Sequence, residues 1–234
     1  MKDGLKLAAL YGLKPHQLGF CGLGSEQNVL LNYLKKKKNI SDKEVKEVLK
    51  TFQAAYPYYK LIARSNQINN PFDKRIIRAY WTGNGLLDKV RISDLRKMIL
   101  EEFSKQGLLP KELAFQKAKL IPKNSKPHHS FHVLYIGAIT GSPISRDICR
   151  PCWGKVEELK IKSQKLKVTY QPLVKNKLGK AVKKEINWDK ELVSNIKLGD
   201  WISFHWNQVI EVLSEQDKNN LEKYTLITIK SLQE

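Results

Sequence analysis

Thiols and imidazoles are the side chains of this sequence best suited to chemistry, and they are scarce: three cysteines and five histidines in 234 residues. Two short segments about fifty residues apart stand out, Cys149-Arg-Pro-Cys-Trp-Gly-Lys-Val156 and Leu198-Gly-Asp-Trp-Ile-Ser-Phe-His205. The first sets a thiol ahead of a Gly-Lys-Val that leads into a strand. The second is a Gly-Asp turn followed by alternating residues, so that Trp201, Ser203 and His205 share one strand face and Ile202 and Phe204 the other. Thiolate and imidazole are ligands for soft and borderline metals. One of each, offered from two strand ends, makes Cys149 and His205 the leading pair for a metal or bound metal unit. Cys152 completes a Cys-x-x-Cys, a spacing compatible with a redox pair, but no βαβ context surrounds it. Its plainer reading is a small buried hydrophobe. Three more histidines crowd Pro127-His-His-Ser-Phe-His132. In a strand His128 and His132 share a face two steps apart, too far to chelate one ion unless the chain turns at Pro127, and His129 faces away. These three are candidate ligands, or polar residues donating to nearby carbonyls. A structural zinc site needs four ligands, and only Cys21 and the histidines remain to complete one.

The order Cys-x-x-x-x-Gly-Lys-Val, a strand-rich middle, Leu-Gly-Asp-Trp-Ile-x-Phe-His and then Val212-Leu-Ser-Glu-Gln-Asp217 resembles the HypC/HupF family of [NiFe]-hydrogenase maturation chaperones over residues 148–224. The resemblance implies a small OB-like β-barrel with a C-terminal helix. It also implies an iron carbonyl-cyanide unit held transiently through Cys149 with help from His205. The partners it implies are a metallocentre-assembly scaffold or a hydrogenase large subunit. The chain departs from that family in three ways. Its cysteine follows 148 residues instead of opening the chain, Trp153 replaces a proline, and Cys152 is an added thiol. The whole chain also resembles an uncharacterised bacterial family of unknown function through Ala-Tyr-Pro-Tyr, His-His-Ser-Phe-His-Val and Gly-Asp-Trp-x-Ser-x-His-Trp.

Other chemistries find little footing. No Gly-x-Ser-x-Gly elbow is present, and paired carboxylates on helices give no glycosidase signature. The loop Lys14-Pro-His-Gln-Leu-Gly-Phe-Cys-Gly-Leu-Gly24 lacks a preceding strand and a Gly-Lys-Ser/Thr, so it reads as a tight connection between helices, not an anion cradle. A net charge of +19 invites nucleic acid, yet 35 of the 42 basic residues are lysine, and arginine is the better fork for phosphate and base edges. Three cysteines without a secretory signal favour free or metal-bound thiols over a disulfide framework. No apolar run approaches a membrane span, so the expected setting is the cytoplasm, away from membranes.

The elements that must position these residues fall into two parts. Residues 1–125 read as a helical domain. An apolar stripe from Leu5 to Leu10 is interrupted at Gly12 and Pro15, and Ser25 caps a helix that closes in Lys35 to Lys38. Ser41 and Glu44 form a capping box, Pro57 and Pro71 sit at helix starts, and Ser93 opens a further helix. A short last helix covers 111–120, and the tyrosines and Trp81 pack the core. The stretch 121–127, bracketed by prolines, marks the boundary. Residues 126–234 read as an OB-like barrel with a lead-in strand at 131–136 and a turn-rich loop at 137–142. Further strands are expected at 155–161, 166–174, 181–186, 201–206 and 207–213, with a hairpin at 176–179. Helix starts at Ser214, and 224–230 fits helix or strand.

The expected class is therefore α+β, and the expected function non-enzymatic: an accessory protein of metallocentre assembly. The alternative is an OB-like nucleic-acid-binding protein, with Lys155, Lys160, Lys162, Lys165 and Lys167 on a barrel face and Trp153, Tyr170 or Trp201 stacking on bases. A zinc-stabilised interaction module is the third reading.

Overall fold

The computed structural model describes residues 2–22, 28–105, 107–137 and 145–233. Ser25 and most of the loop expected at 137–142 lie outside them. Helices fill the first half: α1 (Lys2–Gln17), α2 (Val29–Lys35), α3 (Asp42–Lys50), α4 (Tyr56–Ser65), α5 (Lys74–Trp81), α6 (Ile92–Met98) and α7 (Lys111–Lys119). The capping box forms as its residues dictate: the Ser41 hydroxyl accepts from the Glu44 amide at 3.2 Å, and Glu44 accepts from the Ser41 amide at 2.8 Å. Two boundaries differ from expectation. The first helix runs through Gly12 and Pro15; at Gly12 the Phe52 ring packs where a side chain would stand, 2.5 Å from its Cβ position. Pro15 lies in the last turn, where its missing amide leaves the Tyr11 carbonyl without its i+4 partner, and that carbonyl is met by His205 Nδ1 at 2.8 Å. The helix read from Ser93 starts one residue earlier, at Ile92.

The stretch read as a lead-in strand, 131–136, is not a strand. It is a short helix, α8 (His129–Phe131), continued as a π-turn over His132–Gly137. The His128 side chain starts it, accepting from the Ser130 amide at 3.2 Å. Phe131, Val133, Leu134 and Ile136 are all buried, so tertiary packing overrides the β-preference of Phe, Val and Ile. After α9 (Arg146–Cys149) come β1 (Cys152–Lys160), β2 (Lys165–Tyr170), β3 (Leu173–Val174), β4 (Lys177–Leu178), β5 (Val182–Asn187), β6 (Trp201–His205) and β7 (Gln208–Leu213). The strand expected over 166–174 is thus split after Tyr170. Its tail enters a β3–β4 hairpin that turns on Lys175 and Asn176, both at positive φ, slightly ahead of the predicted turn.

Five strands close into a barrel in the order β1-β2-β5-β7-β6. All neighbours are antiparallel except β5 and β7, a parallel seam held by the single register pair Asn187–Gln208. This is the arrangement of an OB-like Greek-key barrel. The last helix, α10 (Glu215–Ser231), is capped by Ser214, whose hydroxyl accepts from the Asp217 amide at 3.1 Å, and 224–230 is helical. The fold is α+β: helices first, barrel second, helix last.

The apolar core does not stop at residue 125. One continuous cluster runs from Leu5 through Tyr80 and Phe131 to Phe204 and Tyr224. Polar ties cross the same junction. Arg78 of α5 holds Glu211 of β7 at 2.8 Å and Asp217 of α10 at 2.7 Å, and Tyr11 donates to Ser203 of β6 at 3.0 Å. Lys35, closing α2, pairs with Asp189 and Glu191, both at 2.7 Å. Helices and barrel therefore share one apolar core, tied by these polar contacts.

Candidate metal centre

That junction is where the chemistry collects. α9 ends on Cys149, β6 ends on His205, and α8 begins on His129. One ligand atom from each of His129, Cys149 and His205 lies within 4.8 Å of the other two, a group of two nitrogens and one sulfur. The three residues are 4%, 4% and 2% exposed, so the group is enclosed by protein.

Each ring is held from behind. His205 Nδ1 lies 2.8 Å from the Tyr11 carbonyl of α1, and His129 Nδ1 lies 2.7 Å from the Tyr80 hydroxyl of α5. That hydroxyl donates to the Ala54 carbonyl at 2.7 Å, which leaves its oxygen to accept from His129. In front, both Nε2 atoms converge on one acceptor, the Cys149 carbonyl, at 2.7 Å from His205 and 3.0 Å from His129. Trp81 packs against both rings, with centroids 4.3 Å from His129 and 5.1 Å from His205, and Tyr11 stacks on Trp81 at 4.5 Å.

Burial decides the protonation states. It pushes His205 down to about 4, an effect only partly offset by the Tyr11 and Cys149 carbonyls. It holds His129 well below its ordinary value too, with His205, His132 and His128 adding repulsion. Both rings are neutral at pH 7 and carry one N–H each, although His205 faces a carbonyl on either side. The Cys149 thiol is pushed up by burial and then by the Cys21 thiol, while the Trp206 indole beside it favours the thiolate slightly. Cys149 is thus a protonated, inert thiol unless a cation draws the proton off.

Cys149 and His205, paired from the sequence, do meet. The remaining candidates part company. His132 stands one helical turn from His129, ring centroids 5.9 Å apart, and its Nδ1 lies 3.4 Å from the Tyr58 hydroxyl. His128 spends its Nδ1 on the Ser130 amide and lies over Tyr224. Cys152 turns its buried sulfur towards the Asp147 and Arg150 carbonyls, at 3.5 and 3.6 Å. None of these three belongs to the group. A strand through 128–132 turns His129 away from His128 and His132. In the helix, His129 joins and His128 and His132 do not. The His129–His132 (i, i+3) and His128–His132 (i, i+4) spacings fit a helical face, but neither singles out His129.

The barrel surface bears on the nucleic-acid alternative. Trp153 and Tyr170, two of its three stacking candidates, are 5% and 7% exposed. Trp153 packs with Leu213 and Leu221, and Tyr170 donates to Asp147. Trp201 is partly open, with Lys155 and Lys218 over its ring at 5.9 and 5.0 Å. Three surface grooves, of about 350, 410 and 390 Å³, lie beside α4 and α6 and along α1, and no residue of the histidine–cysteine group lines them. Among the described residues no helix is long and apolar enough to cross a membrane.

A family model matches residues 1–234, and the chain belongs to that family, a family of unknown function (DUF6390). No curated protein and no solved structure matches the chain.

Proposed function

We propose that this member of the family is a non-enzymatic metal-binding protein that holds one transition-metal ion between its helices and its barrel, through His129 Nε2, Cys149 Sγ and His205 Nε2. The observation that carries the reading is the direction of the two rings. Each Nδ1 is set against a fixed acceptor, the tautomer-fixing contact that metal-ligating histidines use. With the protons on Nδ1, two Nε2 lone pairs point at the Cys149 carbonyl. Lone pairs facing a carbonyl oxygen in a buried site repel, and a cation among them turns that repulsion into attraction. A thiolate and two imidazoles suit zinc, iron or copper far better than magnesium or calcium. Enclosure by protein favours holding over turnover.

The resident ion that this donor set fits best is zinc. A second reading makes the ion cargo. Cys149 and His205, the two residues carried over from the HypC/HupF resemblance, meet at the edge of an OB-like barrel, as a carrier of an iron carbonyl-cyanide unit for a hydrogenase or its assembly scaffold requires. His129 lies outside the resembling stretch and closes the group, so release of such a cargo would need the helices to part from the barrel. Genomic neighbours separate the two: an iron carrier belongs beside hydrogenase maturation genes, and a resident zinc centre does not.

Metal analysis of protein purified without chelator tests the proposal. About one equivalent of metal is expected in the native protein, and a small fraction of that in Cys149→Ala and His205→Ala, with Cys152→Ala at the native level. A native protein free of metal that also fails to take up zinc or iron on titration would overturn it.

A further inference from the structure

A groove of about 390 Å³ opens on the far side of α1 from the histidine–cysteine group's ligands, between the first turns of α1, the end of α2 and the start of α3. Lys6, Lys36 and Lys38 line it, above a floor of Tyr33, Leu34 and Ile40. We infer that this groove is a binding site for the phosphate monoester of a small organic molecule. The three lysines hold the phosphate, and the organic part lies on the floor. The inference is independent of the metal proposal.

Unpaired cations set this groove apart from the other two. There Lys60 is paired with Glu102 at 2.7 Å, Lys74 with Asp3 at 3.4 Å, and Arg78 with Glu211 and Asp217. Among the described residues no carboxylate is paired with Lys6, Lys36 or Lys38. Three ammonium groups around one hollow repel one another, and an anion among them is attracted by all three. The run Lys35–Lys38 is divided between tasks. Lys35 pairs with Asp189 and Glu191 of the barrel part, Lys36 and Lys38 line the groove, and Lys37 lines none of the three grooves.

The balance of charge points to a dianion. Two carboxylates also line the groove, and both are engaged: Asp3 is paired with Lys74, and Asp42 accepts from the Tyr33 hydroxyl at 3.0 Å. Three lysines against two aspartates leave one positive charge, and Lys74 beside Asp3 makes two. A phosphate monoester carries about −1.5 to −2 at pH 7, whereas a carboxylate carries one charge. Lysine binds phosphate as a point charge and needs no fixed fork geometry. The floor decides for an ester over inorganic phosphate. Leu34 is buried and Tyr33 and Ile40 are half-buried, so the floor is an apolar surface that an organic group covers and a bare phosphate leaves wet.

Calorimetric titration of the full-length chain in physiological salt tests the site, with inorganic phosphate, glucose phosphate and adenosine monophosphate as probes. At least one of the two esters should bind, about five-fold or more tighter than inorganic phosphate. Lys6→Gln, Lys36→Gly and Lys38→Gln should each weaken that ester about five-fold. Lys36 closes α2 in the left-handed region at φ 54, where glycine fits without strain, so a loss in Lys36→Gly does not come from misfolding. Lys37→Gln removes the same charge from the same run and should leave the affinity unchanged. Equal weakening by Lys37→Gln would trace the binding to the net charge of +19 and overturn the site. Failure of both esters to bind, or inorganic phosphate binding as tightly as either, would overturn it as well.

Discussion

His205 shows what a single residue carries here. Its ring is wedged between two carbonyls, 2.8 and 2.7 Å away, in a place where burial keeps it neutral. His128 and His132 are likewise pushed down to about 3 by burial. The ordinary histidine value is near 6.5, so as the pH falls the unfolded chain takes up these protons before the folded one does. The stabilisation is complete above about pH 7, is lost as the pH falls through 6.5 towards the folded values, and amounts to roughly 3 kcal/mol for His205 alone. Chelated protein should therefore lose stability steeply between pH 6.5 and 4 in denaturant unfolding, and metal-loaded protein should resist until the ion is displaced. Flat stability of the chelated form from pH 7 to 5 would contradict the buried, neutral assignment. At this scale the sequence revealed Cys149 and His205, because thiol and imidazole are chemically conspicuous. Tyr11 and Tyr80 escaped notice: one contributes a backbone carbonyl and the other an ordinary core hydroxyl.

Among the elements, α8 is decisive. Composition made 131–136 a strand, and a strand puts His129 on the wrong side. The helix forms because every side chain from His129 to Leu134 is buried, a constraint set by distant residues and invisible to local pattern. The elements with strong local signals were legible: the Ser41–Glu44 capping box, Ser214 ahead of α10, and the alternating strands of the barrel. The docking of α10 on the helices was not. It depends on Gly83, which ends α5 at φ +87, where an added Cβ would stand 2.2 Å from the Tyr224 ring. Tyr224 in turn donates to the Asn84 carbonyl at 2.9 Å. Gly83→Ala should cost about 2 kcal/mol or more, through both backbone strain and overlap with Tyr224. Urea unfolding would measure it, and a loss below about 0.5 kcal/mol would show that α10 is not seated there as described.

Over the whole molecule, the proposed ion sits at a seam. α8 and α9 bring His129 and Cys149 and β6 brings His205, so the second part of the chain supplies all three side chains, while α1 and α5 of the first part orient the two rings. The same seam carries the Arg78–Glu211–Asp217 network and the continuous core. A helical part followed by a barrel could be read from the sequence, since periodicity and turn residues report local structure. Their fusion across the histidines could not, because it rests on contacts between residues up to about two hundred positions apart, such as Tyr11 with His205. Anomalous diffraction at metal absorption edges, from crystals grown without chelator, tests the claim most directly. The account predicts one strong peak among His129 Nε2, His205 Nε2 and Cys149 Sγ, at about 2.0–2.1 Å from nitrogen and about 2.3 Å from sulfur. No peak at that position, or a peak bound instead at Cys152, would contradict it.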